Sequence, residues 1–271
     1  MPSTCFLFMA FALSEEKLVG SPSENNLPEN NWDISQPSYS VKARQVELEL
    51  SEGTWMNIDV TPDGRSVLFD LLGDIYSIPI EGGRATEITS GHAWDIQPQV
   101  SPDGRYLSFT SDRSGAANIW VKDLLDLDEP EQQVTFEEFR LLNNASWHPT
   151  RNLLIAKKHF TTSRSLGTGE IWMYHGFLDG SLNREKMSGA VVVERPSKNY
   201  QKELGEPVFS HDGSSVFYTQ NATPGDMFVY HEDSNDEVMV IKSFDLQTAK
   251  SKVVAGGPGG AVRPTPSPDG R

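Results

Sequence analysis

The stretch that decides the fold is Ser101-Pro102-Asp103-Gly104, a turn sequence that lies between two apolar segments. Close copies occur at Thr61-Pro62-Asp63-Gly64, Ser210-His211-Asp212-Gly213 and Ser267-Pro268-Asp269-Gly270, and a diverged copy at His148-Pro149-Thr150-Arg151. Proline sets φ at the second turn position, aspartate suits the third, and glycine adopts the left-handed conformation that follows. Each copy therefore predicts a tight hairpin, and the recurrence predicts a repeat architecture.

One β-rich segment precedes each turn and three follow it. Around the first turn these segments are Trp55–Val60, Ser66–Leu71, Asp74–Ile80 and Arg84–Thr89. Four short antiparallel strands per repeat make the blade of a β-propeller. The sequence therefore predicts an all-β fold, a partial propeller of about four four-stranded antiparallel blades plus the start of a fifth. A β-sandwich with type I turns is the competing interpretation, and it gives no reason for turn and strand order to repeat together.

The N-terminal part of the chain differs in composition from the repeats. Phe6–Leu13 is apolar but too short to span a bilayer, and it is similar to the apolar region of a signal peptide, although no Lys or Arg precedes it. We therefore expect residues 1–13 to be a signal-peptide remnant, residues 14–45 a disordered polar linker, and residues 46–271 the partial propeller. Export to the periplasm or the extracellular space follows from the first of these expectations.

The formal net charge of −15 bears on partners. Nucleic acids and anionic membranes require basic patches, so neither is expected as a partner. No membrane span is expected either. The single cysteine, Cys5, cannot form an internal disulfide.

The sequence contains no motif typical of a catalytic or metal site. The six histidines form no His-x-His or His-Glu-x-x-His, and there is no Gly-x-Ser-x-Gly and no cysteine pair for zinc. His148 and His211 replace turn residues, which favours a turn role. Side-chain capping and a local ion pair explain Ser111-Asp112-Arg113. We expect no catalytic residue, no metal ligand and no cofactor within this chain.

One column of polar residues carries a functional hint. Three positions before the last apolar residue of each first strand, the side chains are all polar: Asn57, Gln97, Asn144, Glu206 and Arg263. Side chains alternate between faces along a strand, and the innermost strand of a blade borders the axial channel. The pattern predicts a polar ring around the channel, which binds a ligand or merely hydrates the channel and satisfies backbone groups.

Longer segments resemble one family. They are Gly53–Gly83, Ala93–Gly115, Lys158–His175 and Gly257–Gly270. They are similar to the TolB-like, WD40-like propeller region at the N-terminus of bacterial amidohydrolases, and the resemblance covers roughly residues 46–271. It implies that a metal-dependent hydrolase forms a separate barrel further along the polypeptide, where a divalent metal is expected.

The function expected from this resemblance is a non-catalytic module that gates or orients substrate access for that downstream catalytic domain. Two alternatives stay open. The first is a stand-alone TolB-like protein of the cell envelope that binds other proteins. The second is the propeller of a tricorn-like or prolyl-oligopeptidase-like peptidase that filters peptides.

Blade geometry also predicts which loops share a face. The insertions His159–Gly169 and Asn221–Glu237 should lie with the blade connectors, opposite the Pro-Asp-Gly turns. Val46–Leu50 occupies the position that the outer strand of a preceding blade has elsewhere in the repeat, but no blade precedes it. We therefore expect this segment to be unpaired or displaced, Ala261–Pro266 to lack its hairpin partner, and the fragment to aggregate.

Overall fold

The computed structural model describes residues 3–9, 44–160, 168–175, 188–229, 238–267 and 269–270, and all secondary structure in them is β. Sixteen strands form four antiparallel four-stranded sheets, each in sequential order. The first blade contains β3 (Ile58–Val60), β4 (Ser66–Leu71), β5 (Asp74–Pro79) and β6 (Thr86–Glu87). The second contains β7 (Ile96–Val100), β8 (Tyr106–Ser111), β9 (Asn118–Asp123) and β10 (Gln132–Gln133). The third contains β11 (Leu142–Trp147), β12 (Leu153–His159), β13 (Gly169–His175) and β14 (Ser188–Val193). The fourth contains β15 (Leu204–Phe209), β16 (Ser215–Asn221), β17 (Met239–Asp245) and β18 (Lys250–Ala255). The predicted propeller of four blades is confirmed.

The repeated turns close through their own side chains. In the second blade the Gly104 N–H donates to the Ser101 carbonyl at 2.8 Å, and Gly104 has φ of 75°. Asp103 accepts from the Ser101 hydroxyl and from the Arg105 N–H, which explains why Ser and Asp recur together. In the diverged copy, His148 Nδ1 accepts from the Thr150 N–H at 3.1 Å. His148 therefore has the turn role that the sequence predicted.

Apolar side chains between adjacent blades form the core. One cluster joins the first two blades through Leu68, Ile75 and Phe109, all at most 1% exposed. Equivalent clusters lie between the second and third blades and between the third and fourth. Because each blade is buried against its neighbours, the inner strands that border the axis are held in place.

The segments at the two ends of the repeat region behave differently from the blades. Arg44–Leu50 (β2) is displaced from any blade and pairs antiparallel with Ser3–Met9 (β1) in a separate two-stranded sheet. β1 lies within the predicted signal-peptide remnant. Residues 10–43, which include the end of that remnant and most of the predicted linker, lie outside the described residues. Ala261–Pro266, predicted to be a first strand without its hairpin partner, forms no strand, and the Ala261 N–H donates to the Met239 carbonyl at 2.8 Å.

The two ends of the propeller carry different loops, as predicted. The Pro-Asp-Gly turns meet one another, since Gly104 approaches Pro62 and Gly213 approaches His148. The loops between second and third strands meet the blade connectors instead. The Asp95 N–H donates to the Gly73 carbonyl at 2.8 Å. We call these ends the turn face and the inserted face. The middle portions of both long insertions lie outside the described residues.

Apolar side chains are exposed on the first blade. Ile58 and Val60 are 61% and 45% exposed, whereas Val100, which occupies the position of Val60 in the second blade, is 9% exposed. The preceding blade covers Val100, and among the described residues no blade covers β3.

We expect the double substitution Ile58→Thr and Val60→Thr to weaken self-association of the chain by at least about tenfold, because less apolar area is then removed from water on association. Sedimentation velocity over a concentration series measures this. Ile80→Thr, at a 52% exposed position away from β3, is the control and should leave association unchanged. Equal association by all variants would show that β3 is not the contact.

Candidate functional site

An axial cavity of about 370 Å³ lies where the inner strands converge. Its wall includes every side chain of the predicted polar column: Asn57, Gln97, Asn144, Glu206 and Arg263. The structure thus brings together five residues spread over more than 200 positions of sequence. Prolines that follow the column residues and small side chains make up much of the remaining wall, so the polar groups dominate its chemistry.

The backbone at most of these positions is left-handed. Gln97, Asn144, Glu206 and Arg263 have φ values of 58°, 54°, 52° and 53°. Such values are uncommon for residues other than glycine. In β7, β11 and β15 the pairing register with the second strand also shifts at this point. A β-bulge bends its strand and re-aims the local backbone groups, here toward the preceding blade.

The re-aimed N–H groups bind side chains of the preceding blade. The Gln97 N–H donates to Asp70 Oδ2 at 2.8 Å, and the Asn144 N–H donates to Gln97 Oε1 at 2.9 Å. The Arg263 N–H donates to Glu206 Oε2 at 2.8 Å. Part of the polar column therefore joins consecutive blades.

Some polar atoms of the column remain available. Gln97 Nε2 and the side-chain amide of Asn144 have no protein partner among the described residues. The Arg263 side chain is 78% exposed, and its Nε makes a long contact of 3.4 Å with Glu206 Oε1. These groups can donate to a polar or anionic ligand, and none of them is a nucleophile. The cavity wall is therefore built for hydrogen bonding.

A buried ion network on the inserted face was not predicted from sequence. Arg113 lies 2.5 Å from Asp95 and 2.6 Å from Glu131, and Glu131 also pairs with Lys122 at 3.0 Å. Arg113 is not paired with the adjacent Asp112, so the expected local ion pair is wrong. The network joins the loop between β8 and β9 to the connector that enters the second blade, and it fixes both segments.

Two carboxyl groups, Asp95 within this network and Asp74 beside it, are unusual. Burial, and then the charges of Asp95 and Glu87, raise the pKa of Asp74 to about 7, while Arg113 opposes the shift. Burial also raises the pKa of Asp95, against the effect of Arg113. One oxygen of each group is buried without a protein hydrogen-bond partner among the described residues. The Asp74 carboxyl group therefore changes between its protonated and its ionised form near neutral pH.

Within the ranges that the structure describes, no three His, Cys, Asp or Glu side chains are placed to hold a metal ion. No described helix is long and apolar enough to cross a membrane.

Comparisons with known proteins place this geometry in context. No family model matches the chain. A TolB homolog from Chlorobaculum tepidum is 24% identical over 116 residues, 43% of this chain and 24% of that protein. Tricorn protease homolog 1 from Streptomyces coelicolor is 35% identical over 60 residues, 22% of this chain and 6% of that protein. The matched segments span about a quarter or less of these curated relatives.

A solved structure gives the wider likeness. The putative TolB from Agrobacterium tumefaciens superposes with a TM-score of 0.51 at 18% identity, covering 84% of this chain and 91% of that one. At this identity the likeness concerns the fold alone. Together with the four antiparallel sheets, it shows that the chain has a TolB-like β-propeller fold.

Proposed function

We propose that the chain is a non-catalytic β-propeller module of a larger metal-dependent amidohydrolase, in which it gates or orients substrate access. The observation that carries this proposal is the axial cavity, whose amide groups on Gln97 and Asn144 are free to bind while their backbone is fixed by neighbouring blades. A fixed polar passage suits selection of a ligand better than its chemical conversion. The amidohydrolase resemblance of Lys158–His175 supports the choice of parent enzyme.

The catalytic domain and its divalent metal belong to the downstream part of the proposed parent. Loops on rigid scaffolds frequently carry function, so the inserted face is proposed to meet that domain or the substrate. Export to the periplasm or the extracellular space is part of the proposal.

Two alternatives have support from the relatives. The TolB homolog supports a stand-alone binder of proteins in the cell envelope. The tricorn protease homolog supports a propeller attached to a peptidase, where the axial passage would admit peptides. The natural reading frame discriminates between them, since a downstream His-x-His favours the amidohydrolase, Gly-x-Ser-x-Gly a peptidase, and neither a binder.

A kinetic experiment tests gating in the natural full-length protein. Replacing Asn144 with leucine puts an apolar group of similar size into the passage and leaves the bond from the Asn144 N–H to Gln97 Oε1 in place. We expect KM to rise about tenfold for a large amide substrate and to stay within about twofold for a small one, with kcat unchanged, because only passage is altered. Ile80→Leu, an exposed position away from the cavity, is the control. Equal effects on large and small substrates would overturn gating.

The proposal that this chain is itself non-catalytic has a separate test. The purified 271-residue chain should show no turnover of amide or ester substrates with added Zn²⁺ or Mn²⁺. Metal-stimulated turnover that is lost on replacement of one of its histidines would contradict the proposal.

A further inference from the structure

Two arginines gather around one aromatic ring on the inserted face. Arg140 lies in the connector between the second and third blades, Phe160 directly follows β12, and Arg195 follows β14. The Cζ atoms of Arg140 and Arg195 lie 4.2 and 4.5 Å from the centroid of the Phe160 ring. Three separate parts of the chain therefore converge at this point.

The backbone holds this cluster in place. The Phe160 N–H donates to the Thr168 carbonyl at 3.0 Å, and the His159 N–H donates to the Leu141 carbonyl at 2.9 Å. The second bond ties the end of β12 to the connector that carries Arg140. Both the ring and the first guanidinium are thus attached to fixed backbone.

The charges of these arginines are poorly compensated. Arg140 makes no ion pair among the described residues, and Arg195 has only Glu170, at 3.8 Å. Nearby lysines are matched closely, since Lys158 pairs with Glu137 and Lys157 with Glu203. In a chain of net charge −15, two arginines on one ring with a single carboxylate at 3.8 Å between them are notable.

Contact with the ring does not by itself explain the arrangement. A cation over an aromatic face contributes roughly 0.5–1 kcal/mol at an exposed site, while two like charges repel. Contact with the same ring keeps the two guanidinium groups near each other, and their N–H groups make no hydrogen bond among the described residues. Residues 161–167, the sequence that follows Phe160, contain Arg164 and no acidic residue, so that segment supplies no counter-charge.

We propose that Arg140 and Arg195 form a binding site for an oxyanion, a carboxylate or phosphate group of a ligand, with Phe160 positioning both guanidinium groups. A guanidinium presents paired N–H donors that match the oxygens of carboxylate and phosphate. The site is separate from the axial cavity and does not depend on the proposed parent enzyme.

Calorimetric titration of the 271-residue chain with inorganic phosphate and, separately, with succinate tests the proposal. We expect at least one of them to bind at millimolar concentration or tighter. The double variant Arg140→Gln and Arg195→Gln should weaken binding by at least about tenfold, because charge-assisted hydrogen bonds are lost. Binding of phosphate alone assigns a phosphoester group, and binding of succinate alone assigns a carboxylate.

Two further variants separate the site from general charge and from folding. Arg65→Gln with Arg84→Gln changes the net charge equally at exposed positions on other parts of the surface, and it should leave affinity within about twofold. Replacing Arg140 and Arg195 with lysine keeps the charge but loses the paired donors, and should weaken binding about threefold. Circular dichroism verifies that each variant is folded. Absence of binding by the unmodified chain, or equal loss in the Arg65 and Arg84 variant, would overturn the proposal.

Discussion

Replacing Asp70 with alanine is expected to lower the free energy of unfolding by about 3 kcal/mol, because it leaves three half-buried donors without their charged acceptor. Asp70 is 5% exposed and accepts three hydrogen bonds. The donors are the Asn57 N–H at 2.7 Å, Asn57 Nδ2 at 2.7 Å and the Gln97 N–H at 2.8 Å. The last of these bonds links the first blade to the second, so the loss should reduce cooperativity between them.

Urea denaturation followed by tryptophan fluorescence measures this effect. Asp70→Asn keeps the shape and one acceptor oxygen, so its loss should be smaller, about half that of alanine. Asp126→Ala, on an exposed loop, is the control and should stay within about 0.5 kcal/mol of the unmodified chain. A small effect of Asp70→Ala would mean that the bond between the blades is replaceable by water.

The blades could be predicted from sequence because their turns are local. Ser101, Asp103 and Gly104 close the hairpin through bonds within five residues, so the four-residue pattern contains nearly all the information. The same holds for the His148 turn. Strand order follows once the hairpins are known, since consecutive antiparallel strands pair with one another.

The bonds of the polar column could not be predicted in the same way. Alternation placed Gln97 and Asn144 at the axis, yet glutamine has no local preference for a φ of 58°. The bulge that produces this backbone is stabilised by Asp70, which lies 27 residues earlier in the sequence. The pattern therefore indicated where these side chains lie but not that they join blades.

Electrostatic contacts between distant segments were also hidden. Asp112 is next to Arg113 in sequence, but it accepts from the Trp94 N–H at 2.8 Å, and Arg113 pairs with Asp95 instead. Only the folded blade brings the connector to this loop. The burial of Asp74 beside Asp95 has the same origin, and no sequence pattern signalled it.

Burial of Asp74 leads to the second large expected effect, on the pH dependence of stability. The pKa of Asp74 is raised from 3.8 to about 7 in the folded protein, so the native state binds this proton more tightly than the unfolded state. The associated stability is present below about pH 4 and is lost as the pH rises toward 7. The difference between the two pKa values corresponds to at most about 4 kcal/mol of stability, and solvent screening reduces this contribution. Asp74→Asn stays neutral, so its stability relative to the unmodified chain should increase by about 2 kcal/mol between pH 5 and pH 8.

Urea midpoints of both proteins across this pH range provide the measurement, and the difference between them cancels other titrating groups. Asp126→Asn, at an exposed position, is the matched control and should show no pH-dependent difference. Asp95→Asn should instead destabilise the chain, since Asp95 accepts from Arg113 at 2.5 Å and its loss leaves the half-buried guanidinium with Glu131 as its one carboxylate partner among the described residues. Asp74 would not be the group responsible if Asp74→Asn gained nothing at pH 8 relative to pH 5, because its buried carboxylate is the source of the expected instability.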